Sequence, residues 1–211
     1  MANETPIKNG KLQWNPGNLV YPLPAVMLSC GDKADHYNII TISWTGTINT
    51  NPPMLFASVR KSRHSYEIVK RTGEFVINLT TKDLAFRTDW CGVKSGKEYD
   101  KFKSMRFTAR QGEKVKAPII VESPVNIECK VVDTKDLGSH TMFTAEVVHI
   151  QADKKYLDAK TGAFELFRAN PLVYSHGHYY ELGKHIGKYG FSVMTEKAMK
   201  KQPKIDFNRR R

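Results

Sequence analysis

The run Arg60-Lys61-Ser62-Arg63-His64-Ser65 sets three cations, a histidine and two hydroxyls at the point where a strand gives way to a helix. A helix start leaves backbone N–H groups without intrahelical partners and carries a partial positive charge. Cations and hydroxyls gathered there describe a phosphate socket. On charge alone the same turn reads as a solvated basic corner, and the strand just upstream decides between the two. There Thr41, Ser43 and Thr45 alternate on one face, where a purely structural barrel would bury apolar groups. Polar groups facing inward need partners, and a planar heteroaromatic ring rich in donors and acceptors supplies them.

The elements that must position these residues are mostly strands. Ala25 to Cys30, His36 to Trp44, Met54 to Arg60 and Glu74 to Leu79 read as strands, and the turn formers Asn49 to Pro53 interrupt them. Residues 65–72 read as a helix, with Tyr66 and Val69 on one face, Glu67 placed to pair with Arg71, and Gly73 as its stop. Lys82 to Trp90 and Lys97 to Phe102 read as short helices. Ile119 to Val121, Val125 to Asp133 and His140 to Ile150 return to strands, the last two joined by a turn over Thr134 to Gly138, and another strand starts near Leu172. Strands in this proportion disfavour alternating β/α architecture and predict a closed antiparallel barrel with helical insertions. The domain is expected to span residues 1–193, followed by a basic tail over 194–211.

Other chemistries lack their signatures. No G-x-G-x-x-G follows a strand, so any nicotinamide nucleotide binds outside a Rossmann crossover. Gly92-Val93-Lys94-Ser95-Gly96-Lys97 has one residue too few between its glycines for a P-loop, and Glu98 stands where a magnesium-binding hydroxyl belongs. His176, His178 and His185 lack a carboxylate or cysteine at ligand spacing and read as structural, so no metal is expected. There is no G-x-S-x-G elbow, and Cys91 beside Trp90 reads as packing.

Composition sets further bounds. The 211 residues, 40% hydrophobic and 26% charged, are enough for one core. A net charge of +12 raises nucleic acid as a partner, but seven Lys and Arg against two acidic residues fall within 194–211. With no zinc-finger spacing or RNP-like run, a basic nucleic-acid-binding barrel is the weaker alternative. Cys30, Cys91 and Cys129 are odd in number and widely spaced, which argues against a disulfide framework and for a reducing, cytoplasmic setting. Asn78-Leu79-Thr80 forms a glycosylation sequon by chance, at the end of a buried-looking strand. The N-terminus lacks the apolar core of a secretion signal, and no stretch approaches the roughly 20 apolar residues of a membrane span.

Several motifs then resemble one family in order and spacing. They are Asn38-x-x-Thr41-x-Ser43-Trp44-x-Gly46, Pro52-Pro53, the 60–65 turn, and Gly73-Glu74-Phe75-Val76-Ile77-Asn78. Ser95-Gly96 with Asp100-Lys101-Phe102, Gly138-x-His140, and Tyr174-Ser175-His176-Gly177-x-Tyr179-Tyr180 complete the set. Over Tyr21 to Val193 the chain resembles the flavin reductase-like family of FMN-binding split barrels, and most closely its flavoredoxin-type branch. The resemblance implies a Greek-key-like antiparallel barrel and a homodimer holding FMN near the subunit boundary, with NADH or NADPH as transient hydride donor. Carried over residue by residue, Thr41, Ser43, Trp44 and Thr45 would contact the isoalloxazine, and Ser58, Arg60, Arg63, His64 and Ser65 would surround the phosphate. Lys101 would add a charge, and His140 would help place the nicotinamide, with Ser139 standing where relatives commonly carry an acidic residue.

The function implied is an NAD(P)H-dependent flavin reductase-type oxidoreductase, passing electrons to free flavin, ferric complexes or a redox-protein acceptor. Since FMN carries the redox chemistry, no acid-base dyad is required of the protein. The implied alternative is an electron-transfer flavoprotein without direct NAD(P)H activity.

Overall fold

The computed structural model describes residues 6–7, 10–33 and 36–195. Two short strands, β1 (Pro6–Ile7) and β2 (Lys11–Leu12), pair at the start. Then β3 (Leu23–Pro24), β4 (Val26–Cys30), β5 (Asn38–Ile42), β6 (Thr45–Asn49) and β7 (Met54–Arg60) lead into helix α1 (His64–Thr72) and β8 (Glu74–Leu79). Helices α2 (Ala85–Val93) and α3 (Lys101–Ser104) precede β9 (Ala109–Gln111) and β10 (Pro118–Ile120). A long hairpin, β11 (Val125–Asp136) with β12 (His140–Ala152), is followed by a short one, β13 (Leu172–Ser175) with β14 (His178–Glu181).

Seven strands form one antiparallel sheet in the order β5-β4-β8-β11-β12-β7-β6. Its two edge strands, β5 and β6, are consecutive in the chain and separated only by Ser43 and Trp44. A sheet whose opposite edges are joined by two residues must roll up, and the result is a split β-barrel. The strand expected over His36 to Trp44 is therefore shorter, Asn38–Ile42, and its last two expected residues form the corner that leads into β6. The corner is fixed by backbone bonds: Ser58 N–H donates to the Trp44 carbonyl at 2.9 Å, and Thr45 N–H to the Ser43 carbonyl at 3.0 Å.

Alternation of period two fills the barrel. Val26, Leu28 and Cys30, Ile40 and Ile42, Leu55, Ala57 and Val59, Phe75 and Ile77, and Phe143 and Ala145 point into one cluster, where Tyr66, Ile68 and Val69 of α1 join them. Full burial of a side chain such as Leu28 or Phe143 stabilises the fold by about 1.5–3 kcal/mol. The opposite face of β4 and β5 is also covered, since Met27 and Ile39 pack with Leu84, Cys91 and Phe102 of the helical insertion. That double coverage explains why β4 is buried at every position. Asn78 is buried between strands, its amide donating to the Met27 carbonyl at 2.9 Å and the Ser29 hydroxyl at 2.8 Å, so its side chain is structural.

Gly73 ends α1 as expected, in the left-handed region at φ 66° with its N–H bonded to the Val69 carbonyl. Other details differ from the sequence reading. Arg71 does not pair with Glu67 along the helix; its guanidinium forks onto both oxygens of Asp32 at 2.9 Å, because a planar fork matches a carboxylate better than a one-turn helical reach does. The strand ending at Asp133 continues to Asp136, and α2 and α3 start later than expected, after a single 3-10 turn at Lys82–Leu84 and at Lys101. Within the basic tail, residues 196–211 lie outside the described residues.

Candidate functional site

The turn between β7 and α1 is the basic corner singled out by its residue types. Arg63 is the N-cap of α1 and gives no side-chain cap; its carbonyl accepts the Tyr66 N–H at 3.0 Å, and no side chain closes the helix start ahead of it. A pocket of about 190 Å³ opens there, lined by Ser62, Arg63, His64 and Ser65 on one side and by Lys94, Ser95, Gly96 and Lys101 on the other. Ser65 is 1% exposed and its Oγ accepts from the Asn38 amide at 2.8 Å, which joins β5 to the helix.

Lys101 is 3% exposed, and its ammonium donates to the carbonyls of Ile39 at 2.7 Å and Cys91 at 2.6 Å. An ammonium has three protons, so one donor is left for the pocket that this side chain also lines. Burial lowers the Lys101 pKa to about 8, and the Arg63 charge adds to the effect. The His64 pKa is also lowered, by burial and then by Lys97 and Lys101. The pocket is thus a region of positive potential that favours an anion.

Through Ile40, Arg63 and Gly92 the pocket continues into a cleft of about 510 Å³. Thr41, Ser43, Ser58 and Arg60 line one wall, and Asp89, Val93, Tyr174 and Tyr179 another. The hairpin β13–β14 supplies the two tyrosines, turning through His176 and Gly177 at φ 47° and 86°. Tyr179 shares a hydrogen bond with Asp89, and its hydroxyl pKa is raised to about 12 by burial and by the carboxylate. At the cleft mouth the rings of Trp44 and His140 lie 6.3 Å apart and 16° from parallel. His140 pairs with Arg60 across β12 and β7, and its Nδ1 bonds the Ser139 hydroxyl at 2.8 Å. Burial and the Arg60 charge lower the His140 pKa, keeping the ring neutral at pH 7.

Nine of the residues proposed from sequence (Thr41, Ser43, Trp44, Ser58, Arg60, Arg63, His64, Ser65 and Lys101) and His140 line this continuous groove. Thr45 does not: its hydroxyl donates to the Phe56 carbonyl at 2.5 Å, and it lines an adjoining apolar groove with Leu19, Val20 and Leu23 that shares Ser43 and Trp44 with the cleft. The corner at Ser43-Trp44 interrupts the alternation, so that Ser43 reaches both grooves and Thr45 only the second. Thr41 reaches the cleft with its hydroxyl already donated to the Thr88 carbonyl at 2.5 Å.

The sequence reading did not assign Asp89, Gly92, Lys94, Tyr174 or Tyr179 to the site. Gly92 and Gly96, four residues apart at and just beyond the end of α2, are the available signal. A Cβ on Gly92 would sit 3.1 Å from Thr41 Cβ, and one on Gly96 would sit 2.1 Å from Asn38 Oδ1. These glycines let the α2–α3 segment approach β5 closely enough to close the groove. Among the described residues no group of three or more His, Cys, Asp or Glu is arranged to hold a metal, and no helix is long and apolar enough to cross a membrane.

The family model described as "Flavin reductase like domain" matches residues 19–183. Flavoredoxin of Desulfovibrio vulgaris (Miyazaki F) has a similar structure, with a TM-score of 0.80 at 27% identity, covering 87% of this chain and 100% of its own. Flavoredoxin from Methanosarcina acetivorans gives a TM-score of 0.78 at 30% identity, covering 87% and 99%. An uncharacterized protein of Archaeoglobus fulgidus is 30% identical over 141 residues, which is 67% of this chain and 78% of its own length. A split barrel of this topology, matched by the family model over most of its length, makes the chain a member of the flavin reductase-like family of flavin-binding proteins.

Proposed function

We propose that the groove holds FMN and that the protein is an NAD(P)H-dependent flavin reductase-type oxidoreductase. The observation that carries this reading is the continuity of a cationic pocket at an uncapped helix start with a larger cleft walled by hydroxyls and rings. The residues fit the group: Arg63, Ser62, Ser65 and Lys101 would hold the phosphate, and His64, Lys94 and Ser95 would enclose it. Thr41, Ser43, Ser58 and Trp44 would hold the ring system. FMN, when bound, supplies the centre that accepts hydride and releases electrons singly or in pairs.

The protein's own task is then positioning. Neutral His140, fixed by Ser139 and stacked near Trp44, would orient a nicotinamide at the cleft mouth. Asp89 and Tyr179 would hold the hairpin against α2 and limit water on the opposite wall. Free flavin, a ferric complex or a redox protein would take the electrons. A homodimer is favoured by the exposed apolar residues Leu19 and Val20, which line the groove next to Trp44, and by the exposed Trp14 and Ile48. Three buried free thiols agree with a cytoplasmic setting.

Absorption spectra of the purified protein, with FMN added and before and after anaerobic NADH or NADPH, test the proposal. Yellow protein bleached by either nucleotide is expected, and protein that binds no FMN would overturn it. The likeness to flavoredoxins favours a second reading, an electron-transfer flavoprotein, for which the yellow protein would not be bleached by either nucleotide.

A further inference from the structure

The long hairpin β11–β12 outruns the strand beside it. β8 pairs with β11 only over Asn126 to Lys130, and the last bond on that side runs from the Val131 N–H to the Gly73 carbonyl at 2.8 Å. The register then slips between Val131 and Asp133, which makes Val132 the extra residue of a bulge at the point where β11 leaves β8. Residues 133–136 pair with β12 on one side and, among the described residues, with no strand on the other. Each of residues 132–136 is exposed. An edge of unpaired N–H and C=O groups is a template for another strand. We infer that this edge pairs with the same edge of a second copy of the chain, antiparallel about a two-fold axis at Thr134.

The backbone fixes which groups face outward. The Leu137 N–H donates to the His140 carbonyl at 2.9 Å, which makes these two a hydrogen-bonded pair of the hairpin. Bonded and non-bonded pairs alternate along an antiparallel ladder, so Lys135 and Asp133 turn their N–H and C=O groups toward β12, and Thr134 and Asp136 turn theirs outward. Charge then selects the register. Asp133 and Lys135 form no ion pair among the described residues, whereas Asp136 already holds Lys61. Centred on Thr134, the two copies exchange backbone bonds between their Thr134 residues and set each Asp133 opposite the second copy's Lys135, in the closely spaced non-bonded positions. Centred on Lys135, they would oppose two lysines. A lysine on an edge wards off an arbitrary strand, and the chain's own Asp133 is its complement. The ladder is short, so the contact belongs to the weak class, below about 1,200 Å² of total buried surface. It shares no residue with the apolar groove beside Trp44 and does not rest on the flavin reading.

Sedimentation velocity of the full-length protein over a concentration series tests this. A reversible step that doubles the mass of the species seen at the lowest concentration is expected. Thr134→Pro, which removes an outward N–H and keeps the bonds to β12, should weaken that step about tenfold or more. Asp133→Lys should weaken it about tenfold by setting like charges opposite each other, and Asp133→Lys combined with Lys135→Asp should restore it. A single species at every concentration would leave the edge to solvent or to another protein and overturn the inference. Association indifferent to Thr134→Pro or to Asp133→Lys would also overturn it, as would failure of the double exchange to restore it. If Thr134→Pro does not fold, the charge series decides alone.

Discussion

Asn38 at the start of β5 and Ser65 in the first turn of α1 are joined side chain to side chain at 2.8 Å, across 27 residues of sequence. The bond closes the floor of the cationic pocket, and Gly96 presses against its other side. Because the Asn38 amide is both buried and bonded, it has no free direction in which to yield. Gly96→Ala should therefore break the Asn38–Ser65 contact, destabilise the protein by about 1–3 kcal/mol and weaken FMN binding. Urea unfolding and fluorescence titration measure both; an unchanged FMN affinity would show that Asn38 can move.

Arg63 stands at the junction of pocket and cleft and is exposed, so its removal leaves the core intact. Hydrogen bonds to charged groups contribute about 1.5–3 kcal/mol, so Arg63→Ala should weaken FMN roughly ten- to hundredfold with no loss of thermal stability. Equal affinity of wild type and variant in a flavin fluorescence titration removes Arg63 from the site.

Lys101 supports two buried carbonyls, and its truncation leaves both without a donor. Lys101→Ala is expected to cost on the order of 3 kcal/mol, read as a lower urea midpoint with no flavin present. A variant as stable as wild type would mean that water replaces the ammonium.

The same ammonium sets a pH dependence. Its lowered pKa of about 8 means it is charged below that value and loses its proton as pH rises through it. A phosphate monoester is already close to a dianion at pH ~7, so the ligand does not mask the change. The affinity of FMN relative to riboflavin should hold below about pH 8 and fall above it. A ratio that stays flat to about pH 10 would place the phosphate away from Lys101.

His140 faces Trp44 at the cleft mouth and makes its one side-chain bond to Ser139. His140→Ala should slow anaerobic reduction by NADH or NADPH about tenfold or more through lost orientation, with FMN affinity within about twofold. Loss of FMN affinity without a change in reduction rate would assign His140 to flavin rather than nicotinamide.

The barrel was legible because its strands alternate cleanly: Leu55, Ala57 and Val59 face one cluster, and Met54–Arg60 and Glu74–Leu79 form as read. The basic corner was legible because cations and hydroxyls concentrate in one short run. What was not legible depends on bends and on distant partners. The corner at Ser43-Trp44 turned Thr45 out of the cleft, since continued alternation assumes a straight strand. Arg71 found Asp32, 39 residues away, and no local pattern announces such a partner. Tyr174 and Tyr179 reach the cleft only because β13 and β14 fold back over α2, a contact set by tertiary packing.

Cys30, Cys91 and Cys129 are all buried and unpaired. Burial raises the thiol pKa of each, to about 12 for Cys30 and about 11 for Cys91, so thiolate is scarce at neutral pH. Thiolate is the form that peroxide attacks. On the flavin reading proposed above, reduced flavin meeting oxygen would generate peroxide within the groove, with Cys91 on the helix that walls it. These sulfurs keep their protons at neutral pH, so the fold would set no easily oxidised thiol beside that source of oxidant.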